Sequence, residues 1–148
     1  MERPASSTGA TAPSHEFVDH TAELTIHLRA GTFPELLAES GRAMGELMTR
    51  SRPNAPSGGW REVAAKGPDE AALLVAWLNE FVYLGEVEQW APAEIDVRVA
   101  EPGGEGVRAR VRGVSLAKPF VLVKAATLHG LTIRRVGDGL EAEVTLDV

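Results

Sequence analysis

Cysteine is missing from all 148 residues, which removes disulfides, a thiolate nucleophile and any sulfur-based zinc site in one step. A metal held by this chain must be bound by oxygen or imidazole. No close histidine pair of the HExxH kind is present, so a zinc centre of histidines would depend on tertiary coincidence. No serine lies in a glycine-flanked strand-turn-helix elbow, and the single tyrosine, Tyr83, falls on a predicted helix. Nucleophilic catalysis therefore has no candidate, and no catalytic residue is assigned. An excess of positive charge is lacking too. Fifteen Lys+Arg stand against 21 Asp+Glu, a net charge of -6, which opposes a polyphosphate backbone, so no stable nucleic-acid binding is expected. No apolar run approaches the roughly 20 residues of a spanning helix, so a membrane location is not expected. The first 15 residues lack a basic and apolar leader, so no secretory signal is expected and the cytoplasm is the expected compartment.

Residues 1–15, rich in Ser, Thr, Ala and Pro, read as a disordered tail, and 16–148 as one domain. Leu24, Ile26 and Leu28 alternate with Thr25, His27 and Arg29, the period of a half-buried strand. Thr32 is placed to cap a helix, with Glu35 reaching back to the cap N–H in a capping box. Phe33, Leu36, Leu37, Met44, Leu47 and Met48 then share a face, and the helix should end near Thr49. Ser51 to Gly59 reads as a loop and Trp60 to Ala65 as a strand. Asp69 is a plausible cap for a second helix whose stripe is Leu73, Leu74, Trp77, Leu78, Phe81 and Leu84, with Asn79 and Glu80 at its margin.

From there the pattern changes to strands. Ile95 to Val99 and Val107 to Val111 alternate about the glycine-rich turn Glu101–Gly106. Phe120–Leu128 and Leu131–Val136 read as two further strands, and Leu140 to Val148 alternates to the last residue after the turn at Gly137-Asp138-Gly139. Strands joined by short turns favour an α+β fold of mostly antiparallel β-sheet, with two amphipathic helices packed on it, over a doubly wound parallel one.

The polar knot Asp19-His20-Thr21-Ala22-Glu23 at the mouth of the first alternating strand serves no core. Asp19 and Glu23 can face one site if Thr21-Ala22 turns, and Asp147-Val148 brings a further side-chain carboxylate and the terminal one. Such oxygen donors suit hard cations. Of the remaining histidines, His15 falls in the tail and His27 on the solvated side of its strand, while His20 and His129 are open. The three tryptophans, Trp60, Trp77 and Trp90, are spaced too widely for a stacking platform.

His15-Glu16-Phe17-Val18-Asp19-His20-Thr21-Ala22-Glu23 resembles the archease signature, an apolar pair followed by Asp-His-Thr-Ala-Asp. Further segments match in order: Glu46-Leu47-Met48-Thr49 is similar to the end of that family's first helix, and Trp77-Leu78-Asn79-Glu80-Phe81-Val82-Tyr83-Leu84 to its second. Val123-Lys124-Ala125-Ala126-Thr127-Leu128-His129 resembles its Lys-Ala-x-Thr-x-His strand, and Leu146-Asp147-Val148 its ending.

The resemblance implies a small α+β protein that is not itself an enzyme. It would activate a GTP-dependent RNA ligase of the RtcB type, promoting guanylylation and multiple turnover in tRNA splicing or RNA repair. It implies a divalent cation, calcium in the family with magnesium or manganese as alternatives, held by Glu23, Asp147 and Val148. Asp19, His20, Lys124 and His129 match motif positions around it as supporting groups. Glu23 stands where the family has Asp, placing the carboxylate one methylene farther out. The competing readings are a metal-dependent hydrolase using Glu23 or His20 as base, which needs an enclosed pocket, and a general folding chaperone, which needs an exposed apolar patch.

Overall fold

The computed structural model describes residues 11–49, 57–116 and 123–148. In β2 (Glu23–Ala30), Leu24, Ile26, Leu28 and Ala30 are buried and the residues between them face outward, as their alternation requires. The other elements are β1 (Ser14–His20), α1 (Phe33–Thr49), β3 (Ser57–Ala65), α2 (Glu70–Glu88), β4 (Trp90–Glu101), β5 (Gly106–Ser115), β6 (Ala125–Val136) and β7 (Gly139–Asp147). They form two sheets, a four-stranded one of order β1-β2-β7-β6 and a three-stranded one of order β3-β5-β4. Every pairing is antiparallel. The α+β architecture holds, with the strands divided between two sheets.

Each helix touches both sheets: α1 packs on β2 and β4, and α2 on β6, β3 and β4. This explains why α2 buries Val82 and Gly85 beyond its predicted stripe. A helix enclosed on more than one side becomes apolar around most of its girth. Trp77 and Phe81 meet edge to face at 4.6 Å, and the Trp77 indole N–H donates to the Leu37 carbonyl across the helix pair at 2.9 Å. The outer faces of both sheets are left to solvent. Among the described residues no helix is long and apolar enough to cross a membrane.

Several expectations change in detail. Thr32 caps α1, its hydroxyl accepting from the Glu35 N–H at 3.3 Å, but the Glu35 carboxylate takes the Gly31 N–H at 3.0 Å rather than that of Thr32. Asp69 caps α2 as read, accepting from the Ala72 N–H at 2.8 Å. Strand β3 begins at Ser57, inside the stretch read as loop; 51–56 lie outside the described residues, as do 1–10 of the predicted tail and 117–122 of the strand read from Phe120. The tail reading also covered Ser14 and His15, which belong to β1. The two strands read on either side of His129 are one, β6, interrupted by a register shift between Thr127 and Thr132. Gly130, at a φ of +69°, supplies the left-handed residue that lets the chain bulge and resume.

Candidate functional site

The hairpin between β1 and β2 brings the polar knot to one end of the four-stranded sheet. Its loop is only Thr21-Ala22, with Ala22 at a φ of +61°, a conformation that costs a residue with a Cβ roughly 1–2 kcal/mol. His20 is the cross-strand partner of Glu23, Glu23 of Asp147, and Asp147 of Ala125. Directly opposed residues send their side chains to the same face. Because Leu24, Leu146 and Ala126 are buried, this row of His20, Glu23, Asp147 and Ala125 lies on the outer face. The second and last strands of the domain, β2 and β7, thereby contribute carboxylates to one end of the sheet, beside His20 of β1.

The main chain fastens the row from both sides. The Val148 N–H donates to the Ala22 carbonyl at 3.2 Å, and the Lys124 N–H donates to the Asp147 carbonyl at 2.8 Å. Behind Ala125, the Asn79 side chain of α2 clips the edge strand: its amide donates to the Ala126 carbonyl at 3.2 Å and its oxygen accepts the Ala126 N–H at 2.8 Å. These are backbone groups of an edge strand, which must otherwise be satisfied by water.

Not every sequence candidate converges there. Asp19 is opposite the buried Leu24, so it leaves the sheet on the face away from Glu23. His129 sits exposed in the β6 bulge, its N–H bonded to the Thr127 hydroxyl at 3.2 Å, away from the row. Lys124 reaches the site through its backbone, with its side chain exposed.

The donors are all hard oxygens, the type calcium, magnesium or manganese take. Among the described residues no group of three or more His, Cys, Asp and Glu is arranged to hold a metal ion. Glu23 and Asp147 stand opposite each other as a pair of carboxylates, without a third acidic or imidazole side chain among the described residues placed to complete such a group.

A second cluster was not legible in the sequence. His15, read as part of the tail, is nearly buried, with Nδ1 at 2.6 Å from Glu39 and Nε2 at 2.9 Å from Glu46, both on α1. Arg42 holds the other Glu39 oxygen at 2.8 Å. The Glu39 hydrogen bond raises the His15 pKa above its ordinary 6.5 against the opposing effect of burial, with Glu46 adding to the rise. Burial pushes Glu39 up, but the hydrogen bonds from His15 and Arg42 outweigh it and leave its pKa below the usual 4.5. The visible signal was Glu39 itself, a carboxylate amid the buried stripe of α1. The cluster opens on a cleft of about 320 Å³ between Pro13, Arg42 and Pro92. Another groove, of about 340 Å³, crosses the outer face of the four-stranded sheet beside His27, Arg29, Arg134 and Glu141. There His27 is half-buried, 3.5 Å from Glu143.

Residues 15–148 match the model of the Archease protein family. Protein archease of Methanosarcina barkeri is 31% identical over 140 residues, covering 90% of this chain and 95% of the relative. That of Archaeoglobus fulgidus is also 31% identical, covering 90% and 98%. The solution structure of protein 1598 from Methanobacterium thermoautotrophicum superposes with a TM-score of 0.71 at 24% identity, covering 90% of this chain and 98% of that one. The crystal structure of an archease described as a possible chaperone, from Thermotoga maritima, gives 0.61 at 22%, covering 91% and 98%. A family match spanning the polar knot, both helices and the last strand, with relatives aligned over nearly their whole length, shows that this chain belongs to the archease family.

Proposed function

We propose that this protein is a metal-binding protein cofactor, acting in the cytoplasm, that activates a GTP-dependent RNA ligase of the RtcB type in tRNA splicing or RNA repair. The reading rests on family membership and on one observation above all. Glu23 of the signature motif is the direct cross-strand partner of Asp147, the penultimate residue. Chain ends far apart in sequence supply carboxylates to one exposed row, where a divalent cation, calcium first, is shared by Glu23, Asp147 and Val148, with His20 beside them. The cation offsets the acidic row and lets it approach phosphate or carboxylate groups of the ligase. The extra methylene of Glu23 is accommodated because the row lies at an open strand end rather than inside the core.

The test is a guanylylation assay of the cognate ligase with GTP and divalent metal. Added wild-type protein is expected to raise both the fraction of guanylylated ligase and the number of ligation turnovers. No stimulation by wild type sinks the cofactor reading. Full stimulation by Asp147→Ala leaves the cofactor role standing and sinks the metal's part in it.

A further inference from the structure

The three-stranded sheet carries a feature that the ligase reading does not use. On its central strand β5, the buried Val107, Ala109 and Val111 alternate with Arg108, Arg110 and Arg112, which therefore line the outer face. Beside them, β3 slips register between Ser57 and Arg61, with Gly58 at a φ of +77°. This irregularity throws Trp60 onto the arginine row. The guanidinium carbons of Arg110 and Arg112 lie 5.2 and 5.5 Å from the centre of its ring. The residue is nonetheless 41% exposed, whereas Trp77 is fully buried. Trp60 contributes little to the core, and part of its ring is open to solvent.

The arginines are differently engaged. Arg108 pairs with Glu105 at 2.9 Å, Arg112 with Glu94 at 3.2 Å and, on the neighbouring strand, Arg98 with Asp96 at 3.0 Å. These are solvent-exposed pairs of the kind worth at most about 1 kcal/mol, and an external anion can compete for them. Arg110 makes no ion pair among the described residues and touches the indole, while Glu62 on β3 and Asp96 on β4 stand directly opposite it on the same face. An anion alone would use the guanidinium groups and leave the ring bare. A ligand that is both flat and anionic uses both.

We propose that this face is a binding site for a single-stranded nucleic acid segment, with one base stacked on Trp60 and the adjoining phosphates held by Arg110 and Arg112. The separation of the three tryptophans is no obstacle, because the platform is one ring with its arginines. The acidic charge of the whole chain keeps the binding weak and transient, and its dependence on arginine makes it fall with salt. The site is independent of the metal row and of the ligase.

The test uses the full-length protein with a fluorescently labelled short adenylate oligomer at low salt, read by anisotropy, together with quenching of tryptophan emission. Wild type is expected to bind, to quench, and to weaken as salt is added. Trp60→Ala and Arg110→Gln are each expected to weaken binding about tenfold, and Trp60→Phe to abolish the quench. Arg29→Gln, on the other sheet, leaves binding unchanged. Circular dichroism checks that the variants fold, which the exposure of Trp60 favours. Absence of binding by wild type, equal binding by Trp60→Ala and Arg110→Gln, or displacement of the oligomer by polyglutamate at equal charge overturns the proposal. The last outcome would assign the face to an acidic peptide.

Discussion

His15 touches a carboxylate with each ring nitrogen, and only the imidazolium can donate to both at once. Its pKa is raised in the fold, so its stabilising effect is complete below the ordinary 6.5 and is lost as the pH climbs through the folded value. Glu39 titrates in the opposite sense. Its pKa is lowered, so its share is present above the ordinary 4.5 and disappears as the pH falls through the folded value. The clamp that holds β1 on α1 is therefore strongest between about pH 4.5 and 6.5. His15→Ala is expected to cost about 2 kcal/mol in that window, measured by urea unfolding, and progressively less at alkaline pH. A penalty that stays constant to pH 9 would show that packing, not charge, is what His15 supplies. This residue also marks a boundary of what the sequence reveals. Its neighbours along the chain are those of a polar tail, and the two glutamates that give it a role lie 24 and 31 residues away.

At the level of elements, the close approach of α1 to β4 depends on Gly41 and Gly45, one turn apart. A Cβ at Gly45 would collide with the main-chain carbonyl of Pro92, while one at Gly41 would collide with the tip of the Ile95 side chain and reach the Phe81 ring at ordinary contact distance. In an open helix, alanine would gain about 1 kcal/mol over glycine. Backbone cannot yield as a side-chain methyl can, so Gly45→Ala is expected to be a net loss of about 1–2 kcal/mol. Gly41→Ala should be distinctly milder. Chemical denaturation of the two variants decides it, and equal midpoints would refute the asymmetry. Helices and strands themselves were legible because their apolar periods differ. What periodicity missed follows from the same physics. Leu128, His129 and Gly130 break the alternation of β6, yet the strand continues, because a bulge needs only local left-handed geometry and the next residues pair again with β7. Likewise Glu35 found Gly31 instead of the cap residue, a choice made by backbone path rather than spacing.

For the molecule as a whole, enclosure of two helices between two sheets leaves the sheet ends as the places where distant chain segments meet. Only the family resemblance joins Glu23 and Asp147 in one site; the physical basis of their juxtaposition is the β2–β7 register, which no local pattern encodes. Asp19 illustrates the cost of reading a motif as a unit, since strand alternation sends it to the face opposite Glu23. A cation on this row would bridge β2 and β7 and, through Val148 and the β1–β2 turn, fasten β1 as well. It would bind the folded chain alone, because unfolding separates the two carboxylates. Calcium at a hundred times its dissociation constant should therefore add about 2.7 kcal/mol of stability, a rise in Tm of roughly 5–10 °C for a chain of this length. Thermal unfolding of the wild type with calcium against chelator is expected to show that rise, and Asp147→Ala to show none. Calcium added to Glu23→Asp should retain the rise, because the shorter carboxylate remains an oxygen ligand on the same face of the same strand. An equal rise in wild type and Asp147→Ala would place the ion elsewhere, and no rise in wild type would leave the carboxylate pair as a feature of charge alone.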